Sequence, residues 1–427
     1  MVWAGIPIQH WSQASGAKVY LVESAAIPML DVQVDFDAGG RRDPAAQAGL
    51  ASMTAAMVSK GVRESKDGSA ALDENALGEA WADLGASFQG SAGGDRMSFS
   101  LRSLTYPDLL PKAVALAARQ IAEPAFPQDV WLRDRERLNA MFKEANTRPG
   151  TVANRVFSQA VYGSHPYGFD VREATLANIG VAEMKALFDA AIRPCRAKVT
   201  LVGAVNRAQA DALVTQLLSR LPQASACAPL PDVAEVVPLA VAQELLIPFD
   251  SAQAHVLMGQ PGFKRNDPDF FALTVGNYIL GGGGFVSRLT EEVRQKRGLS
   301  YSVSSYFAPG LHAGAFLLGL QTRPDQALEA VKVAREVVAR FVTEGPTDAE
   351  LKAAKDNLTG GFALRIDSNR KLLDNVSNIA WNGLPLDYLD TWTLQVDQVS
   401  LADIRAAFTR KLQPDKMVTV VVGGAPG

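Results

Sequence analysis

Residues 181–188 read Val181-Ala182-Glu183-Met184-Lys185-Ala186-Leu187-Phe188, and residues 401–408 read Leu401-Ala402-Asp403-Ile404-Arg405-Ala406-Ala407-Phe408. The two stretches carry the same pattern of apolar, small and charged residues 220 positions apart. That spacing persists downstream, where Pro194 matches Pro414, Val202 matches Val422 and Gly203 matches Gly423. Upstream it drifts only to 217: Pro107-Asp108 matches Pro324-Asp325, and Ala113, Val114 and Ala117 match Ala330, Val331 and Ala334. An offset that stays nearly constant across both halves marks an internal duplication. The chain is therefore two copies of one unit.

The seam lies between the copies. Pro222, Pro229, Pro231 and Pro238 fall among small residues, a semi-rigid linker composition. The reading places an N-terminal domain at 1–222, a linker at 223–241 and a C-terminal domain at 242–427. A chain of 427 residues is long enough for two such cores.

Within each copy, strand and helix patterns alternate. Leu30, Val32, Val34 and Phe36 interleave with Asp31, Gln33 and Asp35, the period of two of a half-buried strand. Met97, Phe99 and Leu101 alternate with Ser98 and Ser100 in the same way. Lys198–Val202 and Met417–Val422 are short β-branched runs that end in glycine. Helices fall between: Asp108 is placed to cap one, and its partner from Asp325 is expected to bury Leu328, Val331 and Val338. These patterns predict an α+β fold of two homologous α/β sandwich domains, each a mostly antiparallel sheet with helices packed on one face.

Composition narrows the function. Nearly half the residues are apolar, and a net charge of −3 offers no electrostatic footprint for nucleic acid. The uncharged stretch 270–286 is broken by five glycines, so no membrane span is expected. Met1-Val2-Trp3-Ala4-Gly5-Ile6-Pro7 has no signal-peptide pattern, which leaves periplasm and cytoplasm both open. Cys195 and Cys227 could form one bridge, but two unpaired thiols are the simpler reading.

The second copy contains a dense motif: Gly281-Gly282-Gly283-Gly284-Phe285-Val286-Ser287-Arg288-Leu289, then Arg294, Gly298-Leu299 and Tyr301. The glycines follow a helical pattern rather than a strand, and no Lys-Ser/Thr comes after them. They read as a bend between two helices, not a phosphate loop. Arg294 sits in the last turn of a helix, Gly298 suits its C-cap and Tyr301 opens the next strand. On residue types alone, Arg294, Lys296 and Arg297 could simply complement a helix C-terminus. In the first copy Trp81 and Phe88 have the same seven-residue spacing in a similar helix–glycine–strand outline.

The helix Gly49-Leu50-Ala51-Ser52-Met53-Thr54-Ala55-Ala56-Met57 completes the picture. It resembles the Gly-Leu-Ala-His-x-x-Glu-His-Met zinc helix of the pitrilysin, insulysin and mitochondrial processing peptidase family. Ser52, Ala55 and Ala56 stand where that family has its two histidines and its glutamate. Positions i, i+3 and i+4 share a helix face, so an intact motif would aim all three at one metal. Serine and alanine hold none. The Tyr162-Gly163-Ser164-His165-Pro166-Tyr167-Gly168 turn resembles a segment of bacterial members, in which its histidine is not a ligand. The resemblance implies a third zinc ligand roughly 75–80 residues beyond the helix. Asp129, Asp134 and Glu136 lie near there and read by themselves as a solvated helix face. Among the four histidines, His10, His165, His255 and His312, no two are three or four apart.

The second-copy motif resembles the same family's C-terminal signature. Carried over by position, Arg294 and Tyr301 are its arginine–tyrosine pair, which binds the substrate carbonyl, and Gly282, Gly283, Gly284 and Phe285 form a substrate-binding loop. The resemblance implies a non-catalytic subunit that binds no metal and no cofactor of its own. Its partner would be a homologous subunit with an intact His-x-x-Glu-His helix and zinc, and its substrate a peptide. A non-enzymatic peptide-binding or assembly protein of the same fold is the alternative. A hydrolase built on Ser52 lacks both a nucleophile elbow and a neighbouring base.

Overall fold

A computed structural model describes residues 5–223 and 227–424. Residues 1–4 of the N-terminal stretch, 224–226 of the linker and 425–427 of the C-terminal domain lie outside the described residues.

In chain order the first half forms strands β1 (Gln9–Ser12), β2 (Lys18–Glu23) and β3 (Met29–Phe36), and helices α1 (Leu50–Met57) and α2 (Glu74–Asp83). Strands β4 (Ser87–Ala92) and β5 (Met97–Leu104) follow, then helices α3 (Leu110–Ala122), α4 (Gln128–Ala145), α5 (Pro149–Tyr162) and α6 (Val181–Ala191). Strand β6 (Lys198–Gly203) and helix α7 (Arg207–Leu218) end it. The second half forms β7 (Gln243–Ile247), β8 (Ala254–Pro261), α8 (Phe270–Asn277), β9 (Ser302–Phe307) and β10 (Ala315–Thr322). Helices α9 (Ala327–Glu344), α10 (Asp348–Gly360), α11 (Asn369–Asn382) and α12 (Leu401–Lys411), with a further helix over Tyr388–Gln398, lead to the last strand, β11 (Val418–Val422). The duplication is visible in these boundaries: α1, α5 and α6 recur 220 residues on as α8, α11 and α12.

One sheet has the order β1-β2-β6-β3-β5-β4, the other β9-β10-β8-β11-β7. Each is mixed, with a single parallel pair, β2 with β6 and β11 with β7, among antiparallel neighbours. The chain forms two compact units. The first comprises residues 1–140, 171–233 and 363–390, the second 141–170, 234–362 and 391–427. Each unit therefore contains a helix from the other half of the sequence. Helix α11 belongs to the first unit and α5 to the second.

That exchange changes the reading of β3. Its alternation suggested a half-buried strand, yet Asp31, Gln33 and Asp35 are all buried. Helix α11 packs on β3 and β6 and covers the polar face. The polar groups there are paired. Asp35 accepts from Ser98 Oγ (2.5 Å), Gln33 Nε2 (2.9 Å) and Arg96 (3.0 Å). Lys198 Nζ donates to the Ala380 and Trp381 carbonyls (both 3.0 Å), neutralising the C-terminal end of α11. Burial pushes the Asp35 carboxyl up and the Lys198 ammonium down, so the network tempers that cost without removing it. In the second unit the matching helix α5 meets an apolar face. Val152, Ala153, Phe157 and Val161 pack with Val418, Val420 and Val422.

Three further expectations are corrected. Asp108 does not cap α3, which has no side-chain cap. Leu328 faces solvent, while Val331 and Val338 are buried as expected. Cys195 and Cys227 are joined in a disulfide (Cα–Cα 5.8 Å), not left as thiols. Sequence spacing alone does not report that proximity.

Candidate functional site

Helix α1 is set by its N-terminus. Asp43 accepts from the backbone N–H groups of Gly49 (2.9 Å) and Ala51 (3.0 Å), and burial pushes its carboxyl up to about 6. Gly49 has φ 101°, and a Cβ there would lie 2.9 Å from Val171. Leu50, Ala51, Thr54, Ala55 and Met57 are buried against the sheet. Of the three degenerate positions, Ala55 is buried, Ser52 is half-buried and Ala56 is exposed. Ser52 Oγ has one hydrogen bond, a long one to the Ala92 carbonyl (3.4 Å).

The carboxylates of α4 are not all solvated. Asp129 and Glu136 are exposed, but Asp134 is only 7% exposed. Its Oδ1 lies 2.9 Å from Arg133 and its Oδ2 3.5 Å from Lys60 Nζ. Burial pushes Asp134 up, but Arg133 and Lys60 outweigh it and hold the carboxyl below its usual range. The solvated-face expectation thus fails for Asp134, which lies on the same inward face of α4 as Trp131.

A zinc site does not fit these residues. One carboxylate already shared by two cations, a weakly bonded hydroxyl and two methyl groups make no ligand set. Among the described residues no three His, Cys, Asp or Glu side chains are placed to hold a metal ion. The second unit does bring His165 and His312 together, ring centroids 5.1 Å apart, which sequence spacing did not anticipate. Glu235 lies 3.5 Å from His312, but its carboxylate already accepts from Lys264 and from the Ala313 N–H.

The Arg294 region is assembled differently. Helix α8 runs into a π-helical turn, Tyr278–Gly282, and a 3₁₀ turn, Gly284–Val286, so the glycines continue the helical path rather than forming a simple bend. Gly281 passes so close to β9 that a Cβ would lie 2.6 Å from the Ser305 nitrogen. Three residues then anchor the loop. Ser287 is buried and donates to the Gly284 carbonyl (2.8 Å). Arg288 makes a bidentate pair with Glu350 (2.6 and 2.7 Å) and donates to the Gly345 carbonyl (3.0 Å). Leu289 is in the core. The Arg288–Glu350 clamp was missed in the sequence; its signal is the Thr347-x-x-Glu350 capping box that opens α10.

Beyond the anchor, Thr290–Gln295 is a π-helical segment that carries Arg294. Gly298 (φ 63°) ends it, donating to the Arg294 carbonyl (2.9 Å). Tyr301 stands one residue before β9 and is 79% exposed. The Arg294 guanidinium lies over two rings, Phe285 at 4.9 Å and Tyr301 at 5.1 Å. Phe285 is itself 69% exposed. Each such contact contributes about 0.5–1 kcal/mol at an exposed site. Lys296 and Arg297 pair with Glu291 and Glu292, whereas Arg294 has no carboxylate partner among the described residues. Gly282, Gly284 and Phe285 are exposed beside it, and Gly283 is half-buried.

Fold and site define a class: a duplicated α/β protein built on a metallopeptidase plan, with no metal-ligand set on its own α1. Residues 18–174 match the insulinase (peptidase family M16) model, and residues 178–358 match the peptidase M16 inactive domain. A peptidase M16 inactive domain from Pseudomonas fluorescens superposes with a TM-score of 0.91 at 34% identity, covering 98% of both chains. The chain belongs to peptidase family M16. A non-peptidase homolog, YmxG, of Helicobacter pylori is 25% identical over 93% of this chain and 89% of that protein. An uncharacterised zinc protease of Streptomyces coelicolor is 35% identical over 163 residues, 38% of this chain and about a third (35%) of that protein.

Proposed function

We propose that this chain is the non-zinc subunit of a two-subunit peptidase, contributing Arg294 and Tyr301 to a zinc site carried by a homologous partner. The observation that carries the reading is the state of Arg294: its guanidinium lies over the rings of Phe285 and Tyr301, yet it has no carboxylate partner among the described residues. Amide hydrolysis places negative charge on the carbonyl oxygen. A planar guanidinium and a phenol, fixed before substrate arrives, are suitable donors for that charge. The exposed Gly282–Phe285 turn gives an extended peptide close access to those donors, and strand addition at a sheet edge would hold its backbone. Water activation falls to the partner, since Ser52, Ala55 and Ala56 cannot hold a metal. The non-peptidase designation of the Helicobacter relative fits a subunit that does not cut alone, and fits a binding protein too.

Reconstitution separates the two. Mixed with a homologous subunit that has an intact His-x-x-Glu-His helix, the chain should raise hydrolysis of a fluorogenic peptide well above either subunit alone. A mixture no faster than the zinc-bearing subunit by itself would favour the binding protein.

A further inference from the structure

The two units differ at one edge of the sheet. In the first, β1 pairs with the outer edge of β2, and α7 packs on both β2 and α3. Trp11 (2.6 Å) and Gln13 (3.0 Å) donate to Asp211 and tie strand to helix. Under this cover Val19, Leu21, Val114 and Ala118 are at most 2% exposed. In the second unit β7 takes the place of β2. Glu244 and Leu246 lie beside Thr419 and Val421, as Val19 and Leu21 lie beside Val199 and Leu201, 220 residues earlier. Here the flank is open. Among the described residues no strand pairs with the outer edge of β7. Leu246 is 60% exposed and Leu328, on α9, 66%. A groove of about 430 Å³ opens between β7 and α9, lined by Glu244, Leu328, Val331, Lys332, Arg335 and Glu336. Arg335 stands where α3 has Ala118 and donates across the groove to Glu244 (2.7 Å).

We propose that a second copy of this chain closes the flank, β7 against β7 across a two-fold axis, with the two α9 helices side by side and antiparallel. The backbone asks for a strand. The Gln243 N–H donates to the Met417 carbonyl and the Ile247 carbonyl accepts from the Gly423 N–H, so Glu244 and Leu246 turn their own N–H and C=O groups outward. A two-fold copy returns both parts that the first unit has, a strand beside β7 and a helix beside α9. Charge favours the copy too. Two acids and two bases line the groove, so it has no net attraction for a polyanion or a charged membrane. The order is also self-complementary: Lys332 and Glu336 are both exposed and one turn apart, and the two-fold sets each lysine against the glutamate of the other copy. The Arg335–Glu244 bond holds the middle of α9 level with the middle of β7, so one axis serves both elements. The inference does not depend on Arg294, Tyr301 or a zinc-bearing partner.

Sedimentation velocity of the full chain alone, over a dilution series, tests it. The natural chain should dimerise with a Kd at or below about 0.1 mM. Leu246→Glu combined with Leu328→Glu should leave it monomeric with its melting temperature little changed, since both side chains face solvent in the single chain. Lys332→Glu alone should weaken the dimer about 10-fold, because two attractive pairs become repulsive. Adding Glu336→Lys should recover most of that loss, since the exchanged charges still pair across the axis. If the leucine variant does not fold, the charge exchange, confined to the surface of α9, decides. A natural chain that stays monomeric at that concentration, a dimer that survives both leucine changes, or a loss that Glu336→Lys does not recover would each overturn the proposal.

Discussion

Trp81 and Phe88 in the first unit, and Arg294 and Tyr301 in the second, sit on the same local device. In each case a helical segment ends at a glycine with positive φ, Gly85 (55°) or Gly298 (63°), and a strand follows. In the first unit the rings stack at 5.7 Å, both are buried, and Trp81 Nε1 donates to Gln120 (2.8 Å). In the second unit the Arg294 guanidinium lies over the Tyr301 ring at 5.1 Å, Tyr301 is exposed and Arg294 half-buried, and Arg294 has no carboxylate partner among the described residues. In the first unit the device is filled by two buried rings whose one donor is used within the fold. The proposed function gives the arginine and the tyrosine of the second unit a role beyond the fold.

Stability measurements can break that comparison. Trp81→Ala should cost about 3–5 kcal/mol in denaturant unfolding, because it empties a buried aromatic site and strands Gln120. Next in size is the clamp behind the glycine turn. Burial pushes the Glu350 carboxyl up from 4.5, but hydrogen bonds from Arg288 and Thr347 outweigh that and hold it at about 2. A depressed folded value means this stabilisation is complete above pH 4.5 and is lost as pH falls toward about 2. Glu350→Gln should therefore lower stability at pH 7 by about 1–2 kcal/mol, discounted for partial solvation, and flatten that acid limb in pH-dependent melting. Smallest of all, Phe285→Ala and Tyr301→Ala should each change stability by no more than about 0.5 kcal/mol. Losses there as large as at Trp81 would mean the exposed pair is structural after all.

Much of this was legible in the chain. Matching 181–188 to 401–408 found helices α6 and α12 and, with them, the two-copy fold. Strand β5 followed from simple alternation. Strand β3 followed in the same way, but its burial did not, because period two shows only that the faces differ, not that the polar face meets water. A helix more than 330 residues downstream covers it. Position by position, α1 showed the missing ligands, but Lys60 and Asp134 meet only through the fold. The approach of both rings to Arg294 was equally hidden, since Phe285 and Tyr301 lie on opposite sides of it in the sequence.

The central claim is that Tyr301 donates to the reacting carbonyl at a partner's metal site. The direct measurement is steady-state peptide hydrolysis by the reconstituted pair, comparing the natural chain with Tyr301→Phe, which keeps the ring over Arg294 and removes only the hydroxyl. The account predicts a kcat lower by about 10²-fold with KM little changed. An unchanged kcat would contradict it and leave the chain a binding protein.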